Sequence, residues 1–173
     1  TGHAAFRWLS HAIDLALSDD ADGIVTAPIS KYALHLAGFD YPGHTEILAE
    51  RCGVQEFAMM LYLPPGKVVR GPCGVSVAHA TLHPSLASVP PLLTRERVEE
   101  TIRLIHRFLR NVGCDEPRVG VCALNPHAGE EGLFGNEECL FIAPAVAAAR
   151  ADGILASGPF PADTLMKRAA DGE

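Results

Sequence analysis

The sequence predicts an α/β fold, and three observations carry that prediction. Residues 3–18 place Ala5, Phe6, Leu9, Ile13, Leu15 and Leu17 on a helical period. They lead through the turn Ser18-Asp19-Asp20-Ala21-Asp22-Gly23 into the apolar run Ile24-Val25-Thr26-Ala27, which together make the helix–loop–strand half of an α/β unit. Three later apolar runs, 57–63, 75–81 and 119–124, have strand length, and a strong helical pattern separates the last two. Polar residues, glycines and prolines follow these runs, where open α/β sheets bind ligands.

Taken in order, the first helix is expected over 3–18 and the first strand over 24–27. Ser30 is a plausible N-cap for a short helix through Leu36 that Gly38 ends. Pro42-Gly43 forces a turn, so His44 and Thr45 fall at the start of a helix running to Gly53. Phe57 to Leu63 is a nearly continuous apolar strand, with Met59 and Met60 as core filling. Val75 to Thr81 is another strand, containing His79 as a hydrogen-bonded core residue. Thr94 caps the clearest helix, to Asn111, whose apolar face is Val98, Ile102, Ile105, Phe108 and Leu109, with His106 on its surface. The strand 119–124, an alanine-rich helix within 137–151 beginning near Pro144, and a last strand 153–157 complete the series.

The chain has 173 residues, 48% hydrophobic and 20% charged, an ordinary globular composition that can bury one sizeable core or form part of a two-lobed protein. Its net charge of −7 argues against nucleic acid or an anionic membrane as the main partner, while leaving room for a local cationic pocket for a small phosphate. The apolar runs are too short to span a membrane. The five cysteines form no Cys-x-x-Cys pair, and most are expected to be reduced core residues of a cytoplasmic protein. The chain opens on Thr1, directly in a helical pattern, as an internal piece of a longer protein would.

Five places carry candidate chemistry. After the strand 119–124 comes Asn125-Pro126-His127-Ala128-Gly129-Glu130, an imidazole held behind a proline; it suits either a metal or catalytic site or a polar cap on the sheet. His83, locked against Pro84 after the strand 75–81, is presented in the same way. A catalytic zinc-like site needs about three protein ligands, and the residues alone offer no third. His44 and Thr45 beside exposed backbone N–H groups form an anion-binding corner, with Thr45 as a simple N-cap the competing explanation. Lys31, in the first turn of its helix, faces either an anion or solvent. Asp163, in a proline-stiffened loop after the last strand, is either a carboxylate of the same cleft or a helix cap.

The motifs Thr26-Ala27-Pro28-Ile29-Ser30-Lys31, Gly43-His44-Thr45-Glu46, Thr81-Leu82-His83, Asn125-Pro126-His127-Ala128-Gly129-Glu130 and Gly158-Pro159-Phe160-Pro161-Ala162-Asp163-Thr164-Leu165 together resemble the 4-hydroxythreonine-4-phosphate dehydrogenase family of vitamin B6 biosynthesis and its close relatives. They occur in the family's order and cover nearly the whole chain.

The resemblance implies an isocitrate/isopropylmalate-dehydrogenase-like α/β fold, three-layered with a mixed sheet and incomplete at both ends. Residues 1–173 would be the central portion of a two-lobed dehydrogenase, with no internal boundary evident. It implies NAD, a divalent metal (zinc, magnesium or cobalt), a homodimer with its active site at the subunit interface, and a small phosphorylated substrate. By the match, His44 and Thr45 bind substrate, His83 and His127 are metal ligands, and Asp163 is an active-site aspartate. We add Lys31 to Asp163 as a catalytic candidate. The implied reaction is oxidation of 4-phosphooxy-L-threonine and decarboxylation to 3-amino-2-oxopropyl phosphate. Relatives act instead on 4-phospho-D-threonate or 4-phospho-D-erythronate, and Thr1-Gly2-His3-Ala4 with Phe6-Arg7 leans toward them. A metal-dependent phosphate-ester hydrolase or lyase, or an inactive fragment, is the reading from another class.

The departures also count. The family's third metal histidine, in a His-Asp-Gln-Gly motif, and most of its NAD site lie outside these residues. Gly129, Gly132 and Gly135 have the wrong spacing for a Rossmann fingerprint, which this family does not use. Glu131 stands where some members have glycine.

Overall fold

The computed structural model describes residues 1–173, a mixed α/β chain that packs as two compact units, Thr1–Phe57 and Ala58–Glu173.

The first unit is helical: α1 (Gly2–Leu17), α2 (Lys31–Leu36) and α3 (His44–Arg51). Leu9, Ile13, Leu34 and Ile47 are buried together. Full burial of an aliphatic side chain is worth roughly 1.5–3 kcal/mol, so these four residues dominate the unit's stability. Phe6 stacks on Phe39 with ring centroids 3.8 Å apart. Gly2 is needed where α1 meets α2, because a Cβ there would lie 1.9 Å from the Ala33 carbonyl oxygen. Ser30 caps α2 as expected, its hydroxyl accepting from the Ala33 amide.

The strand expected over 24–27 is not formed. These residues have no regular structure, and the Val25 side chain is fully exposed. Apolar character alone does not make a strand; an edge to pair with does, and this unit offers none.

In the second unit, β1 (Met60–Leu63) pairs antiparallel with β2 (Val75–Ala78), and β3 (Arg118–Cys122) pairs parallel with β4 (Leu155–Phe160). A short α4 (Val89–Leu92) and the long α5 (Arg95–Asn111) lie between β2 and β3 in sequence. The Thr94 hydroxyl caps α5 by accepting from the Arg97 amide. A π-helical turn (Glu138–Ile142) and α6 (Ala143–Ala151) form the crossover that a parallel pair requires. The α-helical part begins at Ala143, beside Pro144 as the sequence suggested. Finally, α7 (Ala162–Asp171) follows β4. The core joins α5, β3, α6 and β4 through Val98, Ile102, Val119, Ile142, Val146 and Ala156.

Two expectations need correction here. Cys73 and Cys114 form a disulfide, while Cys52 and Cys139 are exposed. Reduced thiols were expected for most of the cysteines, and Cys52, Cys122 and Cys139 are free; the bridged pair escaped because partners 41 residues apart are brought together only by the fold. His106 is half-buried rather than on the helix surface, and its Nδ1 has no hydrogen-bond partner. His79 is hydrogen-bonded as expected, its Nδ1 bonded to the Met59 carbonyl at 3.2 Å, but it is half-buried and lies just beyond β2 rather than in the core.

Candidate functional site

In the first unit the geometry gathers Lys31, His44 and Thr45 around Gly43. The Gly43 backbone is fully extended and forms the N-cap of α3 without a side-chain cap. Thr45 is the second residue inside α3, so the simple N-cap explanation for it does not hold. The leading N–H groups of α3 therefore keep their capacity to bind an anion. A Cβ on Gly43 would lie 4.0 Å from Lys31 Cε and 3.6 Å from Glu46 Oε2, which puts the lysine stem against this corner. Lys31 is exposed, while His44 and Thr45 are half-buried.

In the second unit β2 and β3 both line one largely apolar cavity of about 430 Å³, whose lining includes His79, Thr81, Ile102, Val119 and Leu124. Thr81 lies two residues before His83 and Leu124 three before His127, so both candidate histidines follow segments that line this cavity. His83 and His127 are exposed, and both take left-handed backbone conformations, with φ of 51° and 53°. Non-glycine residues adopt that region at a cost and do so disproportionately at functional sites.

The left-handed path continues from His127 through Ala128, Gly129, Glu130 and Glu131, all with φ between 42° and 76°. This loop is tied to a carboxylate that sequence reasoning missed. Glu138 is only 3% exposed. Its Oε1 accepts from the backbone amides of Leu124 at 2.8 Å and Asn125 at 2.7 Å, and its Oε2 accepts from Asn125 Nδ2 at 3.0 Å. Asn125 Nδ2 also donates to Glu137 Oε2 at 2.7 Å. Burial alone would raise the Glu138 carboxyl, but the bonds from Asn125 and Leu124 outweigh it and hold the group below the usual carboxylate range. Gly129 fits here because a Cβ would come within 2.7 Å of Glu138 Oε2. The only sequence signal was the pair Glu137-Glu138 after Gly135-Asn136, and nothing in it announces a partner 13 residues upstream.

Asp163 is exposed, in the first turn of α7. The N-cap of α7 is Pro161, so Asp163 is not the cap. Because β3 and β4 are parallel, the segments bearing His127 and Asp163 both leave the pair at its carboxyl end.

As a metal centre this chain's donors fit in kind and fall short in number. Imidazoles suit zinc and cobalt, but no three His, Cys, Asp or Glu side chains gather into a metal-holding group. For NAD, the chain shows no candidate residue.

A 4-hydroxythreonine-4-phosphate dehydrogenase from Geobacter metallireducens is 51% identical over 172 residues, 99% of this chain and 48% of its own length. A D-threonate 4-phosphate dehydrogenase from Salmonella typhimurium is 42% identical, again over 99% of this chain and 50% of its own. The crystal structure of the Klebsiella pneumoniae 4-hydroxythreonine-4-phosphate dehydrogenase superposes with a TM-score of 0.88 at 45% identity, covering 99% of this chain and 49% of that one. The chain thus spans about half the length of the curated relatives it matches. The family described as pyridoxal phosphate biosynthetic protein PdxA matches all of residues 1–173, and the chain belongs to that family.

Proposed function

We propose that this chain is the central portion of an NAD-dependent, divalent-metal-dependent dehydrogenase. It oxidises the secondary alcohol of a small phosphorylated hydroxy acid and releases carbon dioxide from the resulting β-keto acid. The observation that supports the reading is the parallel pairing of β3 and β4, whose carboxyl ends lead into the segments bearing an imidazole, His127, and a carboxylate, Asp163.

The substrate is 4-phosphooxy-L-threonine, giving 3-amino-2-oxopropyl phosphate; the second reading is 4-phospho-D-threonate or 4-phospho-D-erythronate. Relatives named for hydroxythreonine phosphate and for threonate phosphate both support the class. The whole protein is an isocitrate/isopropylmalate-dehydrogenase-like homodimer, three-layered around a mixed sheet, with its active site at the subunit interface.

His44, Thr45 and the open N-terminus of α3 bind the phosphate, and the Lys31 ammonium neutralises anionic charge on the substrate. Asp163 would accept the proton of the hydroxyl group that is oxidised; NAD, when bound, would supply the oxidising power. His83 and His127 would hold the divalent ion, completed by a donor from outside these residues. When bound, that ion supplies positive charge that polarises the hydroxyl and then the ketone oxygen.

The test is an assay of the full-length protein with NAD, a divalent metal and each of the three phosphorylated acids. NADH formed with one of them is the expected result. Free phosphate released without NADH would replace the dehydrogenase by a hydrolase. His127→Ala should abolish metal retention, and elemental analysis showing unchanged metal would remove that ligand. His44→Ala should raise KM with little effect on metal content.

A further inference from the structure

We propose that Glu138 is the positioning residue that sets His127, acting through the backbone of Leu124 and Asn125; the inference rests on the reading of His127 as a metal ligand. The His127 ring itself meets little that would hold it, its aromatic neighbour Phe134 standing 6.1 Å away centroid to centroid. Its direction is therefore decided by the backbone that presents it.

One buried carboxylate bonds that backbone on its entering side and packs closely against it on the far side. On the entering side, Glu138 Oε1 takes both successive amides, Leu124 at 2.8 Å and Asn125 at 2.7 Å, just before Pro126. On the far side, Gly129 passes so close that a Cβ would sit 2.7 Å from Oε2 and 3.1 Å from the Gly135 carbonyl oxygen. A Cβ on Gly135 would likewise run into Asn125 Nδ2. His127 lies within this closed circuit, in a left-handed turn that persists only where its surroundings over-determine it.

The circuit is anchored to the core. Glu138 opens the π-helical turn whose last residue, Ile142, is 3% exposed within the core cluster. Single π-turns of this kind often mark functional sites. Glu138 thus ties the core at Ile142 to the backbone of Leu124 and Asn125, which runs through Pro126 into His127. Supporting partners of metal ligands typically govern about 10- to 100-fold in metal affinity.

The experiment titrates the metal-free, full-length protein with cobalt(II), following its ligand-field absorption, and records the thermal midpoint of each variant. Glu138→Gln retains the volume and the Oε1 acceptor but turns an NH₂ group toward Asn125 Nδ2, donor against donor. It should weaken cobalt(II) binding about 10- to 100-fold and shift the absorption bands. Asn125→Ala, which removes a half-buried side chain and leaves the carboxylate in place, should weaken binding about 10-fold. It carries the test if the glutamine variant does not fold.

Val146→Ala is the control for general loosening, since it opens the same core away from the loop; it should lower the midpoint and leave the cobalt(II) spectrum unchanged. Parental affinity in Glu138→Gln, or in Asn125→Ala where that variant carries the test, overturns the proposal. So does an equal loss in Val146→Ala. His127→Ala separates the two levels: if it also binds cobalt(II) as the parent does, the ligand reading falls. If it alone loses binding, only the positioning role does.

Discussion

Arg97 Nε donates a 2.7 Å hydrogen bond to the Ala80 carbonyl, fastening the first turn of α5 to the segment that leads into His83. A backbone carbonyl just beyond a strand is thereby satisfied by a guanidinium. Arg97→Ala should cost about 1–2 kcal/mol, the usual range when a charged donor leaves a partly buried acceptor. Urea unfolding measures the loss, and hydrogen exchange should show faster amides at Thr81 to His83. An unchanged exchange pattern would mean that the arginine does not brace the histidine.

Gly129→Ala tests the crowding around Glu138. The new methyl group would meet Glu138 Oε2 at 2.7 Å in a backbone with φ of 76°, so strain and contact both oppose it. A loss of about 1–3 kcal/mol is expected, together with weaker cobalt(II) binding. Parental stability would show that the loop has room to spare.

Much of this arrangement was legible in the sequence because it is local. Thr94 capping α5, Ser30 capping α2 and the helix onset near Pro144 each depend on residues within a few positions of one another. The placement of His83 and His127 after strands followed from apolar runs interrupted by proline. What escaped depends on distant partners. Ile24 to Ala27 has strand composition but no edge to join. Cys73 meets Cys114, and Glu138 meets Leu124 and Asn125, only after the chain has folded. Burial of a glutamate runs against its residue type, and only three converging donors make it tolerable.

The Cys73–Cys114 bridge closes a span of 41 residues that contains β2, α4 and α5. Constraining a loop of that length in the unfolded chain is worth roughly 2–4 kcal/mol. A thiol reductant should therefore lower the thermal midpoint of the protein, and Cys73→Ser should lower it by a similar amount. Reductant should have no further effect on that variant. If reductant leaves the parent's midpoint unmoved, the two sulfurs are not bonded in solution.

Acid sensitivity should trace in part to Glu99 on α5. The hydrogen bond from Arg95 Nε at 2.6 Å, aided by Arg103 Nη2 at 3.2 Å, holds its carboxyl below the ordinary value of about 4.5. Arg103 in turn bonds Asp152 just beyond α6 at 2.8 Å, so protonation of Glu99 loosens one end of a link between the two helices. A carboxyl depressed by folding contributes stability that is fully present above its unfolded value and lost as pH falls through its folded one. The contribution is thus fully present above about pH 4.5 and is lost progressively at lower pH as Glu99 becomes protonated. Glu99→Gln should lower stability at neutral pH by about 1 kcal/mol or less, because the pairs lie near the surface. It should also flatten the fall in urea midpoint on acidification. A variant that is less stable than the parent by the same margin at every pH would show that packing, and not the charge, is what Glu99 contributes.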